Sequence, residues 1–153
     1  MKKLFPLIVI LLFVIFPLTL PNATYATPDS NNTCPQAKTA TKDYQIDYLN
    51  KNDDQEDWWT INSQAGAASL NIVVDLTVGT PDNTPKLMIF IFQNDCNNIT
   101  QIHSDTIDWN DSQVLFTLNN PPSGPYNIKV ALLTPASGNP NADYEYWVRA
   151  YNE

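Results

Sequence analysis

The chain has 153 residues, a formal net charge of −8 and twice as many acidic as basic side chains. A chain this acidic has no basic surface with which to displace counterions from phosphates, so its composition excludes a nucleic-acid-binding protein. Two cysteines and one histidine are also too few to complete a zinc site of the usual four-ligand kind.

Residues 1–26 have the pattern of a secretory signal peptide. Two lysines precede an uncharged apolar run over residues 4–20, and small residues lead to a cleavage position at Ala26. A retained membrane anchor is the alternative, since a run of about 17 residues is near the lower limit for a span. Two prolines within the run disfavour the anchor. We therefore expect a cleaved, secreted chain, placed outside the cell, at its surface or in the periplasm, with no later stretch able to span a membrane.

The rest of the chain, residues 27–153, is the size of one domain with a hydrophobic core. Cys34 and Cys96 are the only cysteines, and such a pair in an exported chain predicts a disulfide, with two free thiols as the alternative. Residues 27–42 are polar and have no apolar period, which predicts an extended tail held mainly by Cys34. A folded domain is then expected over residues 43–153.

Short apolar segments with turn residues between them follow in chain order. Ser69 to Val78 gives the clearest signal, because Leu70, Ile72 and Val74 alternate with polar or smaller residues, which predicts one core face and one mostly solvated face. Leu87 to Phe92 is apolar on both faces, as in a central strand. The remaining predicted strands are Tyr44–Leu49, Trp58–Ile61, Ile99–Ile102, Val114–Leu118, Tyr126–Leu132 and Asp143–Tyr151. Seven or eight strands without helical periods predict an all-β antiparallel sandwich of the jelly-roll or immunoglobulin-like kind.

The order of these motifs resembles the bacterial pre-peptidase C-terminal domain, a β-sandwich module often attached to secreted peptidases. The resemblance covers about residues 44–151, and the matching parts are Asp54–Ile61, Leu70–Val78, Leu87–Phe92, Ser123–Val130 and Tyr144–Val148. The segment Leu87–Phe92 lacks the Asp that commonly opens this strand in the family, and the cysteine pair is not part of the family pattern. The resemblance implies a non-catalytic accessory module.

Residues 102–105 contain the only histidine, His103, next to a serine and an aspartate. A catalytic triad is defined by geometry in space, and such a short combination of residues arises readily by chance. We interpret His103 as a surface residue rather than a catalytic base, and we expect that the protein is not an enzyme.

An acidic turn precedes the first aromatic strand, and its carboxylates are Asp53, Asp54, Glu56 and Asp57. Oxygen ligands of this kind suit Ca²⁺, but the EF-hand spacing and its glycine are missing. Some members of the resembled family bind calcium near their N-terminal linker. The sequence favours a solvated acidic turn, with a calcium site at these four residues as the second interpretation.

Aromatic residues are the remaining candidates for ligand binding. Trp58, Trp147 and Tyr151 alternate with core positions and so belong to the opposite faces of their strands, and Trp109 lies in an acidic loop. Exposed aromatic rings offer a large apolar contact area at little entropic cost. These four residues are therefore the predicted ligand contacts, and the alternative is that they cover the edge of the sandwich or pack beneath the tail.

The sequence thus predicts a secreted, non-catalytic β-sandwich that binds an extracellular polymer, either a polysaccharide or a protein matrix. A structural subunit of a surface layer or fibre, assembled through sheet edges, is the alternative. A small secreted hydrolase is the third interpretation.

Overall fold

The computed structural model describes residues 30–77, 84–108, 110–136 and 142–153. The predicted signal peptide, residues 27–29 of the tail, Val78 and Trp109 lie outside these ranges. A single 3₁₀ turn is present in the described ranges, at Cys34–Gln36. The described strands are β1 (Lys38–Thr39), β2 (Gln45–Leu49), β3 (Glu56–Ser63), β4 (Ser69–Leu76), β5 (Lys86–Gln93), β6 (Thr100–Ile107), β7 (Gln113–Asn119), β8 (Gly124–Thr134) and β9 (Tyr144–Asn152).

The strands form two sheets, which confirms the predicted all-β sandwich. One sheet has five strands in the order β1-β3-β8-β5-β6, and the other has four in the order β2-β9-β4-β7. The strand pairs are antiparallel except β1 with β3, which is parallel. A parallel pair needs a crossover connection. Here the crossover contains β2, which follows β1 and precedes β3 in the chain but belongs to the opposite sheet.

Strand β4 confirms the predicted core face but corrects the prediction for its other face. Leu70, Ile72 and Val74 are fully buried between the sheets. On the outer side, Asn71 and Val73 are also buried, at 7% and 2% exposure. The expected solvated face is wrong because β4 is a central strand, and outward side chains of its neighbours β9 and β7 lie on both sides of it.

The N-terminal segment is part of the sandwich rather than an extended tail held mainly by its cysteine. Strand β1 pairs with β3, and the backbone N–H of Ala40 donates to the Thr60 carbonyl at 2.8 Å. Further upstream, the backbone N–H of Trp58 donates to the Asn31 carbonyl at 2.7 Å, and Asn31 is fully buried. The composition did not predict this role. Backbone hydrogen bonds hold the segment in place, and polar residues form them as readily as apolar residues do.

The predicted disulfide joins Cys34 to Cys96, with their Cα atoms 5.7 Å apart. Cys34 opens the 3₁₀ turn before β1, and Cys96 lies in the turn between β5 and β6. The bond therefore ties the N-terminal segment to a distant turn of the five-stranded sheet.

A buried chain of hydrogen bonds connects the two sheets. The Trp59 indole Nε1 of β3 donates to the Tyr146 hydroxyl of β9 at 2.8 Å, and that hydroxyl donates to Asp57 Oδ2 at 2.7 Å. All three residues are essentially inaccessible to solvent. Buried polar groups are stable only when they are paired, so this chain fixes one alignment of β3 over β9.

Removal of the disulfide should lower the stability of the folded state. The two cysteines are 62 residues apart, and closing a loop of that length stabilises the folded state by about 4 kcal/mol in the chain-entropy account. We expect the double variant Cys34→Ala/Cys96→Ala to lose up to that amount of unfolding free energy in urea titrations. An unchanged urea midpoint would contradict the proposed restraint.

Alkaline pH should weaken the fold through Tyr146. Burial, followed by the nearby Asp57 and Asp47 carboxylates, raises the pKa of Tyr146 well above its ordinary value of 10.0. Above that pH the unfolded chain releases the proton that the folded chain keeps, so the free energy of unfolding falls as pH rises. We expect Tyr146→Phe to have a lower stability near neutral pH but a shallower alkaline decline, measured by urea unfolding at several pH values. Parallel declines in both proteins would contradict this assignment.

Candidate ligand-binding surface

Exposed apolar side chains concentrate on the outer face of the four-stranded sheet. Within the described residues, seven large hydrophobic side chains are exposed, and five of them lie on this face. The five are Tyr44 (39%), Ile46 (51%), Tyr48 (40%), Leu115 (61%) and Trp147 (37%). A concentration of exposed apolar side chains on one face of a soluble protein is a candidate interaction site.

Strand register explains why these residues meet. Trp147 of β9 lies between Ile46 of β2 and Asp75 of β4, and Tyr48 lies opposite Glu145. Side chains directly opposite each other in neighbouring strands are about 5 Å apart at Cβ. We call the outward apolar and aromatic side chains of β2 and β9, together with the flanking Tyr44, the outer aromatic face: Tyr44, Ile46, Tyr48, Trp147 and Tyr151.

A shallow pocket of about 310 Å³ lies within this face, lined by Tyr44, Trp147, Asp75, Leu76 and Thr77. The rings of Tyr44 and Trp147 form its walls, with centroids 5.8 Å apart and planes inclined at 62°. A hydrogen bond to Asp75, together with burial and the negative charge of Asp75, raises the pKa of Tyr44. The pocket therefore combines two aromatic surfaces with one carboxylate.

Glu145 fixes the orientation of the aromatic side chains around it. Its Oε1 accepts a hydrogen bond from the Trp147 indole Nε1 at 2.7 Å, and its Oε2 accepts one from the Tyr48 hydroxyl at 3.2 Å. The hydrogen bond with Glu145, followed by its charge, raises the pKa of Tyr48. Because one carboxylate binds two aromatic side chains, the rings are held in place before any ligand arrives.

Arg149 lies between two tyrosine rings on the same face. Its guanidinium carbon is 4.4 Å from the centre of the Tyr44 ring and 5.7 Å from that of Tyr151. A cation over an aromatic face is attracted by the ring quadrupole. This part of the outer aromatic face thus already holds a positive group against its rings.

The neighbouring strands β4 and β7 add a polar border to the aromatic side chains. Gln113 Nε2 donates to Asp75 Oδ1, and Thr117 Oγ1 donates to Asn71 Oδ1 at 2.8 Å. Amide, hydroxyl and carboxylate groups therefore lie along one side of the aromatic area. This arrangement of apolar centre and polar border is typical of binding sites rather than of hydrophobic cores.

The structure separates Trp58 from Trp147 and Tyr151, which the sequence grouped together with Trp109. Trp147 and Tyr151 lie on the outer aromatic face, where Trp147 is exposed and Tyr151 is partly buried. Trp109 falls outside the described residues. Trp58 belongs to the other sheet, so it cannot share a surface with Trp147.

Trp58 is only 7% exposed, and the expectation of an exposed contact residue is wrong for this side chain. Its ring stacks on Phe92 with a centroid distance of 5.4 Å, and the Lys129 ammonium lies 5.5 Å from the ring centre. Lys129 is held there by an ion pair with Glu56. Trp58 is therefore a packing residue, covered by Phe92 and Lys129.

The acidic turn does not gather its carboxylates around one point. Asp57 points inward to Tyr146, whereas Glu56 points outward to Lys129. Asp53 is exposed, and Asp54 is buried. Among the residues that the structure describes, no group of three or more His, Cys, Asp or Glu side chains could hold a metal ion. The solvated-turn interpretation is wrong for Asp54 and Asp57, because both side chains are buried. A calcium site at this turn stays a prediction, and the described carboxylates do not converge on a common point.

His103 lies on the inner side of the edge strand β6, where it is partly exposed and close to β7. Its ring lies 5.0 Å from that of Phe116, and its Nε2 is 4.0 Å from Asp105 Oδ2. In β6, His103 and Asp105 lie opposite the core residues Ile91 and Ile89, so Ser104 points to the other face. The neighbouring serine is therefore on the wrong side of the strand to be activated by this histidine.

Four of the five exposed large hydrophobic side chains on this face were not predicted as contacts: Tyr44, Ile46, Tyr48 and Leu115. Alternation over Tyr44, Ile46 and Tyr48 was the available signal, since side chains two residues apart in an extended segment lie on one face. The same pattern does not say which face is exposed.

Within the described ranges, the structure contains no helix with the length and apolar character needed to cross a membrane. Neither a scan of protein-family models nor a search of curated proteins finds a match for this chain. The resemblance to the pre-peptidase C-terminal domain therefore stays a prediction.

The two tryptophans should respond differently to truncation. Replacement of a buried tryptophan by alanine removes packing worth about 3–5 kcal/mol, whereas a surface replacement usually changes stability by less than about 1 kcal/mol. We expect Trp58→Ala to be strongly destabilised in urea unfolding and Trp147→Ala to be close to the wild type. The opposite order would contradict the placement of the two side chains.

Proposed function

We propose that this chain is an exported, non-catalytic binding module that holds an extracellular polymer, a polysaccharide or a protein matrix, on the outer aromatic face. The observation that carries the proposal is that five of the seven exposed large hydrophobic side chains of the described residues lie on one sheet face, four of them in the outer aromatic face. Leaving such a surface in water is unfavourable, and ligand contact would remove it from solvent. The pre-peptidase C-terminal resemblance supports an accessory role of this kind.

Preorganisation favours binding at this face over a purely packing role for its rings. The Glu145 carboxylate accepts hydrogen bonds from both Trp147 and Tyr48, and Arg149 lies against Tyr44 and Tyr151. Side chains that are already ordered lose little conformational entropy when a ligand arrives. Rigid aromatic anchors of this type supply much of the binding energy at protein surfaces.

Export is supported by the predicted signal peptide and by the Cys34–Cys96 disulfide. Disulfides form and persist in oxidising compartments outside the cytoplasm. The disulfide also ties the N-terminal segment to the turn after β5. In our proposal, this attachment helps the sandwich persist outside the cytoplasm.

A structural subunit of a surface layer or fibre is the second candidate. Strand β2 is at one end of the four-stranded sheet, and its outward residues Ile46 and Tyr48 are exposed. An exposed apolar edge strand can pair with a strand of another chain. Light scattering discriminates the two candidates, because assembly that grows with protein concentration favours the subunit and a strict monomer favours the binding module.

The ligand-binding proposal is tested with the double variant Tyr44→Ala/Trp147→Ala. Loss of two anchoring rings should reduce retention on an extracellular matrix or polysaccharide array by at least about tenfold, since each ring contributes about 1–2 kcal/mol. The control is Leu133→Ala, which removes a side chain of β8 that is 53% exposed in the other sheet. Equal retention by wild type and double variant, with both folded by circular dichroism, would refute the proposal.

A further inference from the structure

The pocket between Tyr44 and Trp147 has the geometry of a corner rather than a platform. Its two rings are inclined at 62° with centroids 5.8 Å apart. A sugar ring stacks on one flat aromatic face, whereas two inclined rings contact a compact group from two sides. The face of an aromatic ring carries negative potential, so the group that a ring face exposed to the pocket attracts best is a cation.

Carboxylates complete this negative environment. Asp75 lines the pocket, and Glu145 is held beside it by the Trp147 indole at 2.7 Å. A carboxylate only accepts hydrogen bonds, and an alkylammonium only donates them, with three N–H groups. Asp75 already accepts hydrogen bonds from Gln113 and Tyr44, and the acceptor capacity that its two oxygens keep matches the donors of an ammonium group.

Arg149 shows that one of the two pocket rings, that of Tyr44, already lies against a positive group. Its guanidinium lies 4.4 Å from the Tyr44 ring centre. Arg149 does not line the pocket, so its guanidinium does not fill the space between Tyr44, Trp147 and Asp75. The formal net charge of −8 adds a long-range attraction for basic ligands and a repulsion for acidic polymers.

We infer that this pocket takes the ammonium group of a lysine side chain carried by an extended basic polypeptide. The inference rests on the proposed function and names the chemistry of its ligand. A polypeptide is favoured over an amino-sugar polymer because β2 is an edge strand and Tyr44 immediately precedes it. An extended peptide can add to such an edge, while its alternate side chains reach neighbouring pockets.

Binding of soluble poly-L-lysine to the exported chain tests the inference, with fully acetylated poly-L-lysine as the uncharged probe. Asp75→Asn keeps the shape of the side chain but removes its charge, and we expect it to weaken binding about tenfold, the usual scale for loss of a charged hydrogen-bond partner. Asp75→Glu should restore most of the binding. Acetylation of the polymer removes the ammonium charge and should weaken binding at least as much.

The matched control is Asp105→Asn, which removes one carboxylate from β6 in the other sheet, where the side chain is 55% exposed. This control should stay within about twofold of wild type, because a distant exposed charge is largely screened. Equal weakening by Asp105→Asn and Asp75→Asn would overturn the inference and indicate diffuse attraction. Binding of deacetylated chitin without binding of poly-L-lysine would overturn the choice of a polypeptide.

Failure of the inference is distinguishable from failure of the proposed function. Retention on a matrix polymer that depends on Trp147 but not on Asp75 would refute the lysine pocket alone. Absence of any polymer whose retention depends on Trp147 and Tyr44 would refute both. Thermal unfolding of each variant verifies that the change lies in binding rather than in folding.

Discussion

The two-residue alternation of β9 is the constraint on which the rest of the molecule depends. Its inward residues, Tyr146 among them, lie in the core, while the next residue along, Trp147, lies on the outer surface. A shift of one residue in register would exchange these faces completely. The hydrogen-bonded chain from Trp59 through Tyr146 to Asp57 prevents such a shift, because it would leave buried polar groups without partners. The buried hydrogen bonds therefore determine which side chains of β9 lie on the outer surface.

Much of the fold could be predicted from the sequence because its signals are local. The alternation of β4, the apolar run of β5 and the cysteine pair each predicted a feature that the structure confirms. Strand β1 could not be predicted, because two residues carry no periodicity and its pairing partner β3 is distant in sequence. Parallel pairing through a crossover in the opposite sheet is a property of the whole topology.

The candidate surface was harder to predict because alternation divides a strand into two faces without saying which one is buried. In β2, Ile46 and Tyr48 share the more apolar face, yet they point outward, and Asp47 is on the buried side at 8% exposure. Asp47 is tolerated there because the Lys38 ammonium contacts its Oδ2 at 2.8 Å. That partner comes from β1, the strand that the sequence did not reveal.

The size of the neighbouring side chains explains why one outward tryptophan is covered and the other is not. Trp58 lies opposite Lys129, whose long side chain reaches over the indole, and Phe92 stacks on the same ring. Trp147 lies between Ile46 and Asp75, which are too short to cover an indole ring. Asp75 therefore occupies the position from which a longer side chain would cover the Trp147 ring. Because Asp75 is short, Trp147 stays exposed to solvent, and because Asp75 is negatively charged, the pocket beside Trp147 has a carboxylate in its wall.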